Sequence, residues 1–276
     1  MDKVNGKLTV YFEEPFWIGV FERIEDGKLS VEKVTFGAEP KDYEVQEYIQ
    51  KHYASLKFSP AVDAVVKDIK RNPKIICGFS DITSLTNMIT EKTGLITFSG
   101  TNFKTVATDE TDYSLKEALK RFVDGSLELG LQGEEYRTIK QGVEEGQLIG
   151  GNLNLTSGMV AGKYSIDFTG KILFLEELGF ETEPAMASNF LYYMKQNGVF
   201  DKVKGIWLGN YTHESGIKLE DILLDTIGDE FKCPIIKSEN FGHIDKKTVI
   251  PIGTIARIDT NKDVKIELLE NCLSGD

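Results

Sequence analysis

Histidine and cysteine are scarce in this 276-residue chain, which has three of each. Cys77, Cys233 and Cys272 are too few, and odd in number, for a disulfide framework, so a reducing, cytoplasmic setting is the expectation. No Cys-x-x-Cys and no His-x-x-x-His pair is present, so no metal site is expected. No apolar run approaches the roughly 20 residues that a membrane-spanning helix needs. The first residues also lack the basic stretch and apolar segment of a secretory signal. Basic charge is short as well: 32 Lys and Arg face 44 Asp and Glu, for a net of −12. Nucleic acid and anionic membrane surfaces are therefore excluded as main partners. The paired glycines 150–151 lack both G-x-G-x-x-G and a Walker Lys-Ser/Thr, which removes a nucleotide loop.

What is present is unevenly spread. Residues 1–74 hold 12 basic and 13 acidic side chains and 10 of the 28 aromatics, whereas the remainder holds 20 basic and 31 acidic. Two statistics thus change near residue 74. The first segment reads as three strand-length runs, 7–12, 16–24 and 29–36, separated by turn signals at Glu13-Glu14-Pro15 and Glu25-Asp26-Gly27. A helical spacing of Tyr43, Val45, Tyr48, Ile49, Tyr53 and Leu56 follows, and Val62–Lys70 reads as a further short helix. From Lys74 strands and helices alternate, as in a parallel or mixed sheet. The expected fold class is α/β with mixed α+β character. It consists of a small antiparallel β-meander plus helices over 1–72, a truncated Rossmann-like layer over 73–143, and a β-rich C-terminal domain over 144–276.

A nucleophilic serine needs an exposed mount, a base within reach and a third group that orients the base. The strand 74–79 passes directly into helical character at Ser80, and such a turn lifts a side chain out of the sheet with backbone N–H groups behind it. Gly78-Phe79-Ser80-Asp81 has this form, although Ile82 stands where G-x-S-x-G has glycine. The same residues also read as Ser80 capping a helix. Of the three histidines, His52 sits in a helical pattern and His213 in a polar loop. His243 lies in a loop at a strand end, where catalytic groups are often mounted. The orienting acid is Glu176 or Glu177, closing the apolar strand 172–175. Alternation puts them on opposite faces, so only one can face His243.

These words in this order, Cys77-Gly78-Phe79-Ser80-Asp81, Gly150-Gly151-Asn152-Leu153, Leu173-Phe174-Leu175-Glu176-Glu177, Gly242-His243 and Ile250-Pro251-Ile252-Gly253, resemble one serine peptidase family from about residue 73 to 270. It is that of the LD-carboxypeptidases and the microcin C immunity protein. The resemblance implies Ser80 as nucleophile, His243 as general base, Glu176 as the orienting acid and the Asp81 backbone N–H as an oxyanion donor. It also implies a small peptide substrate, either a murein-derived peptide or a peptide-nucleotide antibiotic, and no metal or cofactor. Residues 6–74 resemble instead the small YjdF-like proteins of unknown function.

Two departures stand out. The family's N-terminal portion, with its Gly-rich oxyanion loop, has no counterpart in residues 1–72, and Ser188-Asn189-Phe190 replace an Asp-Arg pair. Losing one oxyanion donor removes about 10²–10³ in turnover, so a catalytically impaired or binding-only hybrid is the alternative. Unpaired strand edges would invite association, with a homodimer as the expected form.

Overall fold

The computed structural model describes residues 5–25, 28–59, 69, 73–130 and 135–273. It divides into two compact units, Met1–Pro73 and Lys74–Asp276. In the first, β1 (Asn5–Glu13), β2 (Phe16–Glu25) and β3 (Lys28–Gly37) form an antiparallel meander in chain order. Helix α1 (Asp42–His52) starts with Glu44 accepting from the Lys41 N–H at 2.9 Å and ends in a 3-10 turn, Tyr53–Ser55. Aromatic residues bind helix to sheet, since Tyr48 lies 5.4 Å from the Phe36 ring and 6.1 Å from Phe21. Ile18 and Phe21 form the buried centre of this small unit. The helix expected over 62–70 falls, apart from Ile69, outside the described residues.

The second unit is built on a seven-stranded sheet. Its strands are β6 (Arg137–Lys140), β7 (Val143–Asn152), β8 (Ile172–Glu176), β9 (Gly205–Leu208), β10 (Ile235–Lys237), β12 (Ile255–Asp259) and β13 (Ile266–Leu268). They lie in the order β13-β12-β7-β8-β9-β10-β6. The central four, β7 to β10, are parallel, and the flanking pairings are antiparallel. Parallel strands covered on both faces read as unbroken apolar runs, and Ile172-Leu173-Phe174-Leu175 and Ile206-Trp207-Leu208 are fully buried. Leu173, Leu175, Ile206 and Leu208 share a cluster with α6 (Pro184–Gln196) and α8 (Leu219–Ile227), whereas Ile172, Phe174 and Trp207 join Phe241 and Ile250 in another. Each strand thus serves two cores, as a pleat of period two requires.

A separate three-stranded sheet, in the order β11-β5-β4, contains β4 (Cys77–Gly78), β5 (Thr97–Ser99) and β11 (Ile250–Ile252). Strands β4 and β5 pair in parallel, β11 joins them antiparallel from far downstream in the chain, and α2 (Ile82–Thr93) follows from β4. Helices α3 (Phe103–Thr108), α4 (Tyr113–Phe122), α5 (Leu153–Ser157) and α7 (Val199–Lys202) complete the described helices.

The end of β7 passes so close to β8 that only glycine fits. Gly150 has φ 125°, and a Cβ there would stand 2.1 Å from the Phe174 carbonyl oxygen. Gly150→Ala should therefore lower the unfolding free energy in urea by about 2–4 kcal/mol. A loss below ~1 kcal/mol would show that the strand can shift aside.

Candidate active site

Ser80 stands between β4 and α2 with φ 59°. That left-handed conformation costs an L-residue about 1–2 kcal/mol, and Ser80 and Asp112 alone adopt it among the described non-glycine residues. Non-glycine residues held in this region cluster at functional sites. The turn is closed by Thr83 N–H donating to the Ser80 carbonyl at 2.9 Å and Ile82 N–H to that of Phe79 at 3.3 Å.

Side chains of α2 fasten this elbow to β7. Asn87 Nδ2 donates to the Gly150 carbonyl at 2.8 Å and its Oδ1 accepts from the Gly150 N–H at 3.0 Å. One turn earlier Thr83 Oγ1 accepts from the Asn152 N–H at 3.1 Å. Asn87 and Thr83 are buried, so each bond satisfies a backbone group shut off from water.

Glu176 and Glu177 close β8 and have different partners. Glu176 Oε2 lies 2.7 Å from His243 Nδ1, and its Oε1 has no hydrogen-bond partner among the described residues. Glu177 accepts from Asn152 Nδ2 at 2.8 Å, from Asn154 N–H at 3.0 Å and from Leu178 N–H at 2.8 Å. Its carboxylate therefore ties the start of α5 to the end of β8, while Glu176 faces the histidine. Burial pushes the Glu176 carboxyl up, with the hydrogen bond and charge of His243 pulling against it. Burial pulls the His243 imidazolium down, but the bond and charge of Glu176 outweigh it and the net shift is upward.

His243 sits in the loop between β10 and β11, and α4 holds that loop. Ser114 Oγ donates to the Asp245 carbonyl at 3.0 Å and Tyr113 OH pairs with Thr248 Oγ1 at 2.9 Å. Gly242, at φ 120°, brings the chain past Glu176, whose Oε2 would lie 3.1 Å from a Cβ there. The Phe79 ring stands edge-on to the imidazole at 5.3 Å, which sets the residue before Ser80 against His243. No hydrogen bond joins Ser80 to the imidazole among the described residues, and unliganded sites often show long catalytic contacts that tighten with substrate. His52 lies in the first unit against Tyr48 at 4.7 Å. His213 Nδ1 is 2.8 Å from Ser215 Oγ, with Nε2 3.2 Å from Glu183. Ser188, Asn189 and Phe190 lie on α6.

Residues 145–258 match the LD-carboxypeptidase C-terminal domain and residues 53–100 the LD-carboxypeptidase N-terminal domain. The chain belongs to the LD-carboxypeptidase family. Within that family it is 30% identical over 200 residues to a probable murein peptide carboxypeptidase of Bacillus subtilis, covering 70% of this chain and 62% of the relative. It is 31% identical over 214 residues to the putative carboxypeptidase YocD of the same organism, covering 69% and 66%. With the microcin C7 self-immunity protein MccF of Escherichia coli it shares 29% over 230 residues, covering 71% and 66%. The chain therefore spans slightly less than two thirds of these curated relatives.

The solved structure of MccF in complex with glutamyl sulfamoyl guanosine superposes with a TM-score of 0.67 at 25% identity, covering 76% of this chain and 71% of that one. An MccF-like protein from Bacillus anthracis gives 0.61 at 28%, covering 75% and 70%. The mixed α/β architecture is thus that of the LD-carboxypeptidases. Residues 8–76 match a family described as a protein of unknown function (DUF2992). The LD-carboxypeptidase match reaches back to residue 53, ahead of the start expected near 73, so the two matches overlap over residues 53–76. No helix among the described residues is long and apolar enough to cross a membrane.

Sequence reading left several contributors unassigned. Asn152 stood in a glycine-rich word that excluded a nucleotide loop and carried part of the family resemblance but had no role of its own, yet it bonds both Thr83 and Glu177. Thr83, Asn87 and Phe79 gave no separate signal, because their roles exist only once β7 and the 243 loop stand beside them.

Proposed function

We propose that this chain is a serine carboxypeptidase of the LD type that hydrolyses an amide in a murein-derived peptide or a peptide-nucleotide conjugate. The observation that carries the reading is the Glu176–His243 pair, packed through Phe79 against a serine in left-handed conformation. With Nδ1 committed to Glu176, Nε2 is the nitrogen that takes the Ser80 proton as Oγ attacks the amide carbonyl. The oxyanion that forms lies before the first turn of α2, where the Ile82 and Thr83 N–H groups are already taken by the Phe79 and Ser80 carbonyls, and the Asp81 N–H is the donor assigned to it. His243 then protonates the leaving amine, and water drawn through the same imidazole releases the acyl group from Ser80.

The assay is release of D-alanine from a murein tetrapeptide by folded, monodisperse protein. His243 works as a base only when neutral. Because its pKa is raised above the ordinary 6.5, kcat/KM should fall as pH drops through a midpoint above 6.5. A midpoint below that value would mean that Glu176 does not hold the imidazolium. The second reading, a binding-only protein, is favoured by the brevity of β4, two residues paired on one side to β5 among the described strands. Ligand binding without D-alanine release would select it.

A further inference from the structure

Beyond the three residues just assigned, and resting on that reading of the site, one buried cation has no role in the chemistry so far. Lys247 is 6% exposed, four positions after His243 in the same loop. Its Nζ donates to the Ile244 carbonyl and sits 4.4 Å from the centroid of the Phe79 ring. That ring is the one standing 5.3 Å from the imidazole at 74°. The backbone of Lys247 is fixed independently, its N–H donating to Ser114 Oγ at 3.2 Å.

We propose that Lys247 is a positioning residue for this site: its ammonium, seated on the Phe79 face, clamps the residue before the nucleophile against His243 and supplies the cation that balances Glu176. A lysine placed here only to fill space would be a poor choice, since burying an ammonium costs more than burying a methionine of similar length. Burial does pull Lys247 below its ordinary 10.5, and the carboxylates that act on it are Glu176 and Asp245. The charged groups facing His243 are Glu176 and Glu177 from the end of β8 and Lys247 from its own loop. Lys247 opposes a proton on the imidazole and favours the ionised form of Glu176. It therefore supports the state the chemistry starts from, a carboxylate beside a neutral base, while the cation–π contact fixes the geometry.

The test is an NMR titration of His243 in the full chain, with its signal identified by loss in His243→Gln. In Lys247→Met the His243 midpoint should rise by about half a unit to one unit, because a cation facing the imidazolium is gone. KM should stay near wild type while kcat at neutral pH falls. Lys247→Arg, which keeps a cation over the ring, should return the midpoint to within about 0.2 of wild type. An unchanged midpoint in folded Lys247→Met, or an arginine variant shifted as far as the methionine one, would overturn the proposal. Should Lys247→Met fail to fold, the wild-type protein decides: the Lys247 ammonium must stay charged throughout the range in which His243 titrates, and a neutral amine there overturns the idea. The titration needs no turnover. Failure of the peptidase reading would appear as absent hydrolysis with the Lys247 shift intact, and failure of this inference as hydrolysis with an unshifted midpoint.

Discussion

Ser80→Ala should reduce D-alanine release by about 10⁴–10⁶-fold, the cost of deleting the nucleophile from a three-residue unit. It should also abolish covalent labelling by a fluorophosphonate probe, which reacts with an activated serine hydroxyl. Full retention of labelling would place the reactive serine elsewhere, and unchanged turnover would remove Ser80 from the chemistry. The backbone supplies an independent check. At φ 59° an alanine keeps the strain that serine bears, whereas glycine relieves it. Ser80→Gly should be as inactive as Ser80→Ala and more stable by about 1 kcal/mol in urea unfolding. An elbow that carries its strain for catalysis predicts this pairing of lost activity with gained stability.

Glu176→Gln should lower kcat/KM by about 10³–10⁴-fold with the fold intact. An amide beside Nδ1 can donate to it and hold the imidazole in the wrong tautomer, with the proton on the nitrogen that should face Ser80. Glu177→Gln is the natural control. Glu177 spends its two oxygens on Asn152, Asn154 and Leu178. Exchanging an acceptor oxygen for an amide nitrogen should cost about 1–3 kcal/mol of stability and far less activity per folded molecule. Kinetics and urea unfolding of the two variants separate these roles, and equal catalytic losses would contradict the division of labour between the adjacent carboxylates.

Much of this arrangement was legible in the residues, and the reasons are local. β8 and β9 were readable because a parallel strand buried on both faces must be an apolar run with turn signals at each end. The meander β1–β3 was readable from its aromatic and β-branched runs, and the break in grammar at Lys74 coincides with the boundary between the compact units. Period-two alternation limited the orienting acid to one of two neighbours. Helix α8 went unassigned although Leu219, Ile222, Leu223 and Ile227 recur at helical spacing; its nine residues lie between polar loops that masked the pattern. The clasp of Asn87 on Gly150 and the seat of Lys247 on Phe79 had no local signature, because each pairs side chains or backbone from segments far apart in the chain.

Those separations bear on how the protein is made. Thr83 meets its β7 partner 69 residues downstream, Asn87 meets its own 63 downstream, and Glu176 meets His243 after another 67. A ribosome delivers the N-terminal side first, at about 5–20 residues per second. The serine elbow therefore emerges several seconds before the strand that tethers it, and the histidine later still. Contacts of such sequence separation are also slow to close. A nascent chain thus displays Ser80 for an interval in which neither His243 nor an anchored turn accompanies it, and the proposed group of Ser80, Glu176 and His243 is complete only once the 243 loop has emerged and docked on α4.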